Sequence, residues 1–139
     1  MNRLNQLLLV DDDSTMAMTT RWTVEEVGVT EIIEARNGQL ALEWLTQQPQ
    51  VPDLIILDLQ MPVMDGIGFL EAISLVDHLA SLKDRIVVLT SMQLPRMRKQ
   101  VEALGVKWYV TRPLTTNVIL AILAELPNGS DGQSVGIST

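Results

Sequence analysis

At 139 residues, with 47% hydrophobic and 19% charged side chains, the chain has the size and composition of one folded domain rather than of a disordered segment. Seventeen acidic against ten basic residues give a net charge of −7, which argues against a nucleic-acid groove or an anionic membrane as partner, since both call for an excess of cations. With no cysteine and a single histidine, His78, the composition excludes disulfides, a thiol nucleophile, thiolate zinc and an imidazole metal site.

Met1 to Gln6 is mostly polar and does not read as a signal peptide, and no apolar run approaches the about 20 residues of a membrane span. The expected compartment is the cytoplasm. Leu7 to Val10 is an apolar run that ends in Asp11-Asp12-Asp13. Ser14 to Val27 reads as a helix with Ser14 as its cap and Gly28 just past its end. Glu31 to Ala35 is a short strand. Asn37 caps a second helix through Gln47, with Leu40, Ala41, Trp44 and Leu45 on one face. Leu54 to Leu57 is a second apolar run, ending at Asp58, and Asp65-Gly66 closes the loop that follows. A third helix is expected from about Ile67 to Val76. Ile86 to Leu89 is a third apolar run ending at Thr90-Ser91; Pro95 suits the first turn of a fourth helix, which Gly105 ends. Trp108 to Val110 is the last strand, and Thr115 or Thr116 caps a final helix to Leu126. Residues 1–126 therefore read as one domain, and 127–139, rich in Asn, Gly, Ser and Asp, as a flexible tail or linker.

Strand and helix alternate five times. Apolar strands flanked by helices imply a parallel sheet covered on both faces, a doubly wound α/β sandwich. In such sheets ligands sit beyond the carboxyl ends of the strands. Those ends carry Asp11-Asp12-Asp13, Asp58, Thr90-Ser91 and Thr111-Arg112-Pro113, whereas the second strand ends only in Ala35-Arg36-Asn37, as suits an edge. Three or four carboxylates in one crevice repel one another unless a hard cation neutralises them, and oxygen ligands without histidine or cysteine suit Mg²⁺. A hydroxyl at Thr90 and a cation at Arg112 are groups that hold phosphoryl oxygens. Together they describe phosphoryl transfer to or from a carboxylate.

On these residues the chain resembles the receiver domain of two-component response regulators, of the chemotaxis-receiver kind. The resemblance runs from Leu7 to about Leu126. It rests on Leu9-Val10-Asp11-Asp12, on the Leu57-Asp58-Leu59-Gln60-Met61-Pro62-Val63-Met64-Asp65-Gly66 block, on Leu89-Thr90-Ser91 and on Tyr109-Val110-Thr111-Arg112-Pro113. It implies a flavodoxin-like (βα)5 fold with strand order 2-1-3-4-5. It also implies a phosphohistidine on a sensor histidine kinase or phosphotransfer protein as donor, Asp58 as phospho-acceptor and Mg²⁺ as cofactor. Asp12 would bind the metal directly and Asp11 mostly through water, with Asp58 and the backbone carbonyl of Gln60 completing the ligands. Thr90 would hold a phosphoryl oxygen and, by shifting, let Tyr109 rotate inward. Gln60 and Met92 would flank the path of the hydrolytic water. The family normally has lysine where this chain has Arg112. A guanidinium there either pairs with the phosphoryl group or turns outward, and the expectation is a weakened switch. The surface expected to move carries Leu94, Met97, Val101 and Trp108, for a downstream protein, an output domain or a second copy of the chain.

Two other readings compete. Asp11-x-Asp13-x-Thr15 after an apolar strand also matches the first motif of haloacid-dehalogenase-type phosphatases, with Asp11 as nucleophile, Asp13 as acid/base and Thr90 as the second motif. That reading leaves Asp58 unexplained and finds no late acidic motif. A pseudo-receiver that signals without phosphate rests on Arg112 alone. Among individual residues, Asp13 reads better as a helix-start acid than as a ligand, His78 as a surface residue, and Trp22 and Trp44 as buried or half-buried.

Overall fold

A computed structural model describes residues 6–61, 64–91 and 94–126; the tail from Pro127 and the side chain of Met92 lie outside them. The strands are β1 (Leu7–Val10), β2 (Ile32–Ala35), β3 (Leu54–Asp58), β4 (Ile86–Thr90) and β5 (Trp108–Thr111). They form one parallel sheet in the order β2-β1-β3-β4-β5. The helices are α1 (Ser14–Glu26), α2 (Gly38–Gln47), α3 (Gly66–Ser74), α4 (Pro95–Ala103) and α5 (Thr116–Glu125), with a 3₁₀ segment, Asp77–Arg85, before β4.

The apolar runs split between two cores because successive side chains of a strand point to opposite faces. Leu8, Val10, Ile55, Leu57 and Val88 face one side and pack with Ala41 and Leu45 of α2, Phe69, Leu70 and Ile73 of α3 and Val101 of α4. Leu7, Leu9, Ile56, Val87 and Leu89 face the other and pack with Ala17 and Val24 of α1 and Ile119, Ile122 and Leu123 of α5. Each of the Leu, Ile, Val and Phe side chains among them contributes about 1.5–3 kcal/mol when fully buried. β1 throughout, and β3 and β4 up to the Asp58 and Thr90 that end them, are apolar because both faces are covered, which also explains why they do not alternate with polar residues.

The helix ends follow local chemistry. Asn37 accepts from the Leu40 N–H, Asp65 from Gly68 and Thr115 from Val118, each satisfying a donor that the first turn leaves unpaired. Pro95 occupies the first turn of α4, and Gly28 and Gly105, just past α1 and α4, have φ of 100° and 92°.

Several expectations need correction. Asp13, not Ser14, caps α1, accepting from the N–H groups of both Thr15 and Met16. The third helix ends at Ser74 rather than Val76, and the chain then tightens into the 3₁₀ segment, anchored by buried Leu79 and Leu82. Trp22 is 60% exposed, because it lies on the side of α1 turned away from Ala17, Thr20 and Val24. Leu40 is also exposed, although Trp44 packs against the core as expected. Val101 is fully buried between α4 and the sheet and so belongs to the core rather than to a partner surface.

Candidate functional site

The parallel register brings the chemistry to one edge. Asp11 directly follows β1, and its N–H donates to Ala35 O at 3.0 Å, so the strand pairing continues to the first aspartate. Asp58 is the last residue of β3, paired with Leu89 of β4, and Thr90 ends β4 opposite Thr111 of β5. Carboxylate oxygens of Asp11, Asp12 and Asp58 lie within 4.8 Å of one another, with Asp11 buried, Asp58 half-buried and Asp12 exposed. Three acids at this separation can all stay ionised only where cations or N–H donors offset their repulsion.

Arg112 supplies one such cation from the exit of β5. Its Nη2 lies 2.7 Å from Asp11 Oδ2 and 3.6 Å from Asp58 Oδ1. The side chains of Arg112, Asp11 and Asp58 are 7%, 1% and 13% exposed, so the guanidinium turns inward. Backbone donors do the rest: the Asp13 N–H donates to Asp11 Oδ1 at 3.0 Å, and the Gln60 N–H to Asp58 Oδ1 at 3.2 Å. Burial raises the Asp58 carboxyl above its ordinary value. The Gln60 N–H opposes this, the Asp11 charge adds to it, Arg112 opposes it, and Asp12 adds a little more.

The loop after Asp58 is held by close backbone approach. The Gly66 N–H donates to Leu59 O at 2.9 Å, and the Gly38 N–H of α2 to Met64 O at 3.0 Å. A Cβ on Gly66 would lie 2.7 Å from Leu59 Cα and 2.8 Å from Asp58 O, so only glycine fits there. This is the physical content of the Asp65-Gly66 pair.

Thr90 is buried, and its carbonyl accepts from the Arg112 N–H at 2.8 Å, which joins the two phosphoryl-holding candidates through backbone. Tyr109 lies inward in the core beneath α4. Its hydroxyl is buried and has no hydrogen-bond partner among the described residues. The Arg98 guanidinium stands 5.5 Å from its ring centroid. Trp108 packs partly buried on the opposite sheet face, with Lys107 Nζ 5.3 Å from its ring. Leu94 and Met97 remain at the surface end of α4, Leu94 exposed and Met97 half-buried. Sequence reasoning missed the contacts of Arg98 with Tyr109 and of Arg112 with Asp11. No spacing pattern announces the first, whereas the second is foreshadowed by a cation at the carboxyl edge.

The chain matches the response regulator receiver domain over residues 7–124. It is 29% identical over 124 residues to the chemotaxis protein CheY of Bacillus subtilis, covering 89% of this chain and 98% of that protein. It is 34% identical over 123 residues to the chemotaxis protein CheY of Halobacterium salinarum, covering 87% and 95%. It also matches the sensor histidine kinase CheAY of Helicobacter pylori at 28% identity over 117 residues, which span 84% of this chain but only 14% of that one. Among solved structures, the bacteriophytochrome response regulator AtBRR superposes with a TM-score of 0.77 at 28% identity, covering 89% of this chain and 93% of that chain. The inward cation, the acidic cluster at the carboxyl edge, the strand order and these matches agree: the chain belongs to the response regulator receiver domain family of two-component signalling.

Proposed function

We propose that the chain takes a phosphoryl group from the phosphohistidine of a sensor histidine kinase or phosphotransfer protein onto Asp58, with Mg²⁺, and thereby switches a protein-binding surface. The observation that carries this reading is the convergence of Asp11, Asp12 and Asp58 oxygens within 4.8 Å, with the Arg112 guanidinium among them. An Asp58 oxygen forms a bond to phosphorus as the phosphorus–nitrogen bond of the donor breaks, and the imidazole nitrogen keeps the electron pair. Asp58 is the acid of the three that combines a half-buried carboxylate with a backbone donor, which orients it for attack. Oxygen donors and the absence of histidine or sulfur fit Mg²⁺, whose charge, when bound, offsets that of the phosphoryl oxygens. Asp12, exposed at the rim, and Asp58 are the direct carboxylate ligands of this reading, with the Gln60 carbonyl as a further one and Asp11 acting through water. Arg112 and Thr90 hold phosphoryl oxygens, and Tyr109 follows Thr90.

The chain's catalysis is then confined to its own phosphorylation and dephosphorylation. Its output is protein binding, to a downstream target, an output domain or a second copy of the chain, at the face of α4, β5 and α5. The net charge of −7 disfavours direct binding of this domain to nucleic acid or to an anionic membrane. Against a phosphatase that uses Asp11 and Asp13 stands the geometry of both acids. Asp13 is committed to the cap of α1, and both Asp11 oxygens already accept hydrogen bonds.

The test is phosphoryl uptake from acetyl phosphate with Mg²⁺, followed by intact mass. Wild type is expected to gain one phosphoryl group and Asp58→Asn none. Uptake retained in Asp58→Asn, and lost instead in Asp11→Asn, would transfer the assignment to the phosphatase reading.

A further inference from the structure

Arg112 stands inside the acidic cluster rather than beside it. Its Nη2 donates to Asp11 Oδ2 at 2.7 Å, and Asp11 Oδ1 accepts from the Asp13 N–H at 3.0 Å. Both oxygens of a carboxylate that is 1% exposed are therefore engaged within the protein. The same Nη2 lies 3.6 Å from Asp58 Oδ1, farther than a hydrogen bond, so Asp11 is its principal anion and Asp58 its second. The planar fork has donors to spare, whereas a lysine ammonium at the same place would be a single compact charge.

Resting on the receiver reading above, we propose that Arg112 is an internal counter-ion that competes with Mg²⁺ for the Asp11 carboxylate, and that a phosphoryl group on Asp58 relieves the competition by drawing the guanidinium to itself. Two cations cannot share one buried carboxylate without repelling each other, and little solvent is present to screen them. While Asp58 is unmodified, Arg112 has no better anion than Asp11. A phosphoryl group on Asp58 adds oxygens beside the second anion of Arg112 and offers the fork a two-pronged partner. The main chain need not move, because the Arg112 N–H stays anchored on Thr90 O at 2.8 Å and only the side chain changes partner. Metal binding and phosphoryl binding are then positively coupled through one guanidinium, and the coupling is reciprocal. Arg112 is in this respect a positioning residue, and the property it sets is metal affinity.

The experiment is calorimetric titration of the full chain with Mg²⁺, without and with beryllofluoride, for wild type, Arg112→Met and Arg112→Lys. Without beryllofluoride, Arg112→Met is expected to bind Mg²⁺ about tenfold tighter than wild type, within the 5–150-fold range usual for coupled sites. Arg112→Lys is expected to fall between them. With beryllofluoride, the affinity of wild type is expected to rise by a larger factor than that of Arg112→Met. Equal or weaker Mg²⁺ binding in both variants overturns the proposal, as does Mg²⁺ binding to none of the three proteins. Should circular dichroism show Arg112→Met unfolded, the lysine variant decides alone: tighter binding than wild type supports the competition and equal binding overturns it. Acetyl phosphate uptake at Asp58, followed by mass, is scored separately. Uptake with an unchanged metal affinity removes the competition and keeps the acceptor; tighter metal binding without uptake keeps the competition and removes the acceptor.

Discussion

Arg112 and Asp11, 101 positions apart in the chain, meet at 2.7 Å as an ion pair with side chains 7% and 1% exposed. The pair ties the exit of the last strand to the exit of the first, across β3 and β4, and so closes the carboxyl edge of the sheet over Asp58.

Breaking that pair from one side leaves a buried carboxylate without its cation. Arg112→Ala is therefore expected to lose about 3–5 kcal/mol of stability, far more than an exposed pair such as Arg98 with Glu102 contributes. Urea denaturation in EDTA measures the loss. Added Mg²⁺ is expected to return part of it, since a ligand that binds only the folded state stabilises that state. A cost below about 1 kcal/mol would mean that Asp11 is adequately held by the Asp13 N–H alone.

Asp12 and Asp13 are adjacent and chemically alike, yet their neighbours assign them different work. Asp13 accepts from the N–H groups of Thr15 and Met16, so Asp13→Ala is expected to cost about 1 kcal/mol of stability and leave Mg²⁺ affinity nearly unchanged. Asp12 lies in the carboxylate cluster, so Asp12→Ala is expected to weaken Mg²⁺ binding with little loss of stability. Calorimetry and thermal melts of both variants make the comparison. Equal losses of metal binding would show that the ligands are misassigned.

Gly66→Ala tests the loop that carries Asp58. The added methyl meets backbone atoms of Asp58 and Leu59, which cannot swing aside. The expected cost is about 1–3 kcal/mol, with slower phosphoryl uptake because the acceptor is displaced. Gly68→Ala is the control, since its methyl meets an Asp65 side-chain oxygen at 3.3 Å and is expected to cost less. Denaturant midpoints and the rate of mass gain with acetyl phosphate report the two effects.

The Asp58 carboxyl has a sign that stability can read. Burial raises it above its ordinary value of 3.8, so the folded state holds this proton to higher pH than the unfolded chain does. Folding stability from this group is complete below the unfolded value and falls as pH rises from 3.8 toward the raised value. In EDTA, Asp58→Asn is thus expected to be more stable than wild type at pH 7, with the difference closing as pH drops below about 4. Urea midpoints from pH 3 to 7 check it. A difference that is constant with pH, or reversed, would mean that Arg112 outweighs burial at this site.

Much of this protein was legible from local pattern. The four-residue apolar runs at Leu7, Leu54 and Ile86 read as strands covered on both faces, because they are too short for a buried helix and alternate with longer amphipathic stretches. Asp11, Asp12, Asp58 and Thr90 were recognisable as a group because each ends such a run, and in a parallel sheet all strand ends share one edge. Asn37 and Pro95 mark helix starts, as does the Thr115-Thr116 pair, through bonds or geometry that span three residues at most.

What tertiary structure decided lies beyond that range. Helical periodicity places Met97 and Val101 on one stripe, but only the docking of α4 on the sheet buries Val101 completely and leaves Met97 half-covered. Trp22 is as apolar as Trp44, and which of the two finds a core depends on how α1 and α2 are rotated against the strands. The sequence set Arg112 at the carboxyl edge but left open whether it faces the acids or solvent. Its inward turn follows from Asp11, whose burial in a dry edge of the sheet makes the nearest cation its necessary partner, and nothing within ten residues of Arg112 in the chain carries that information.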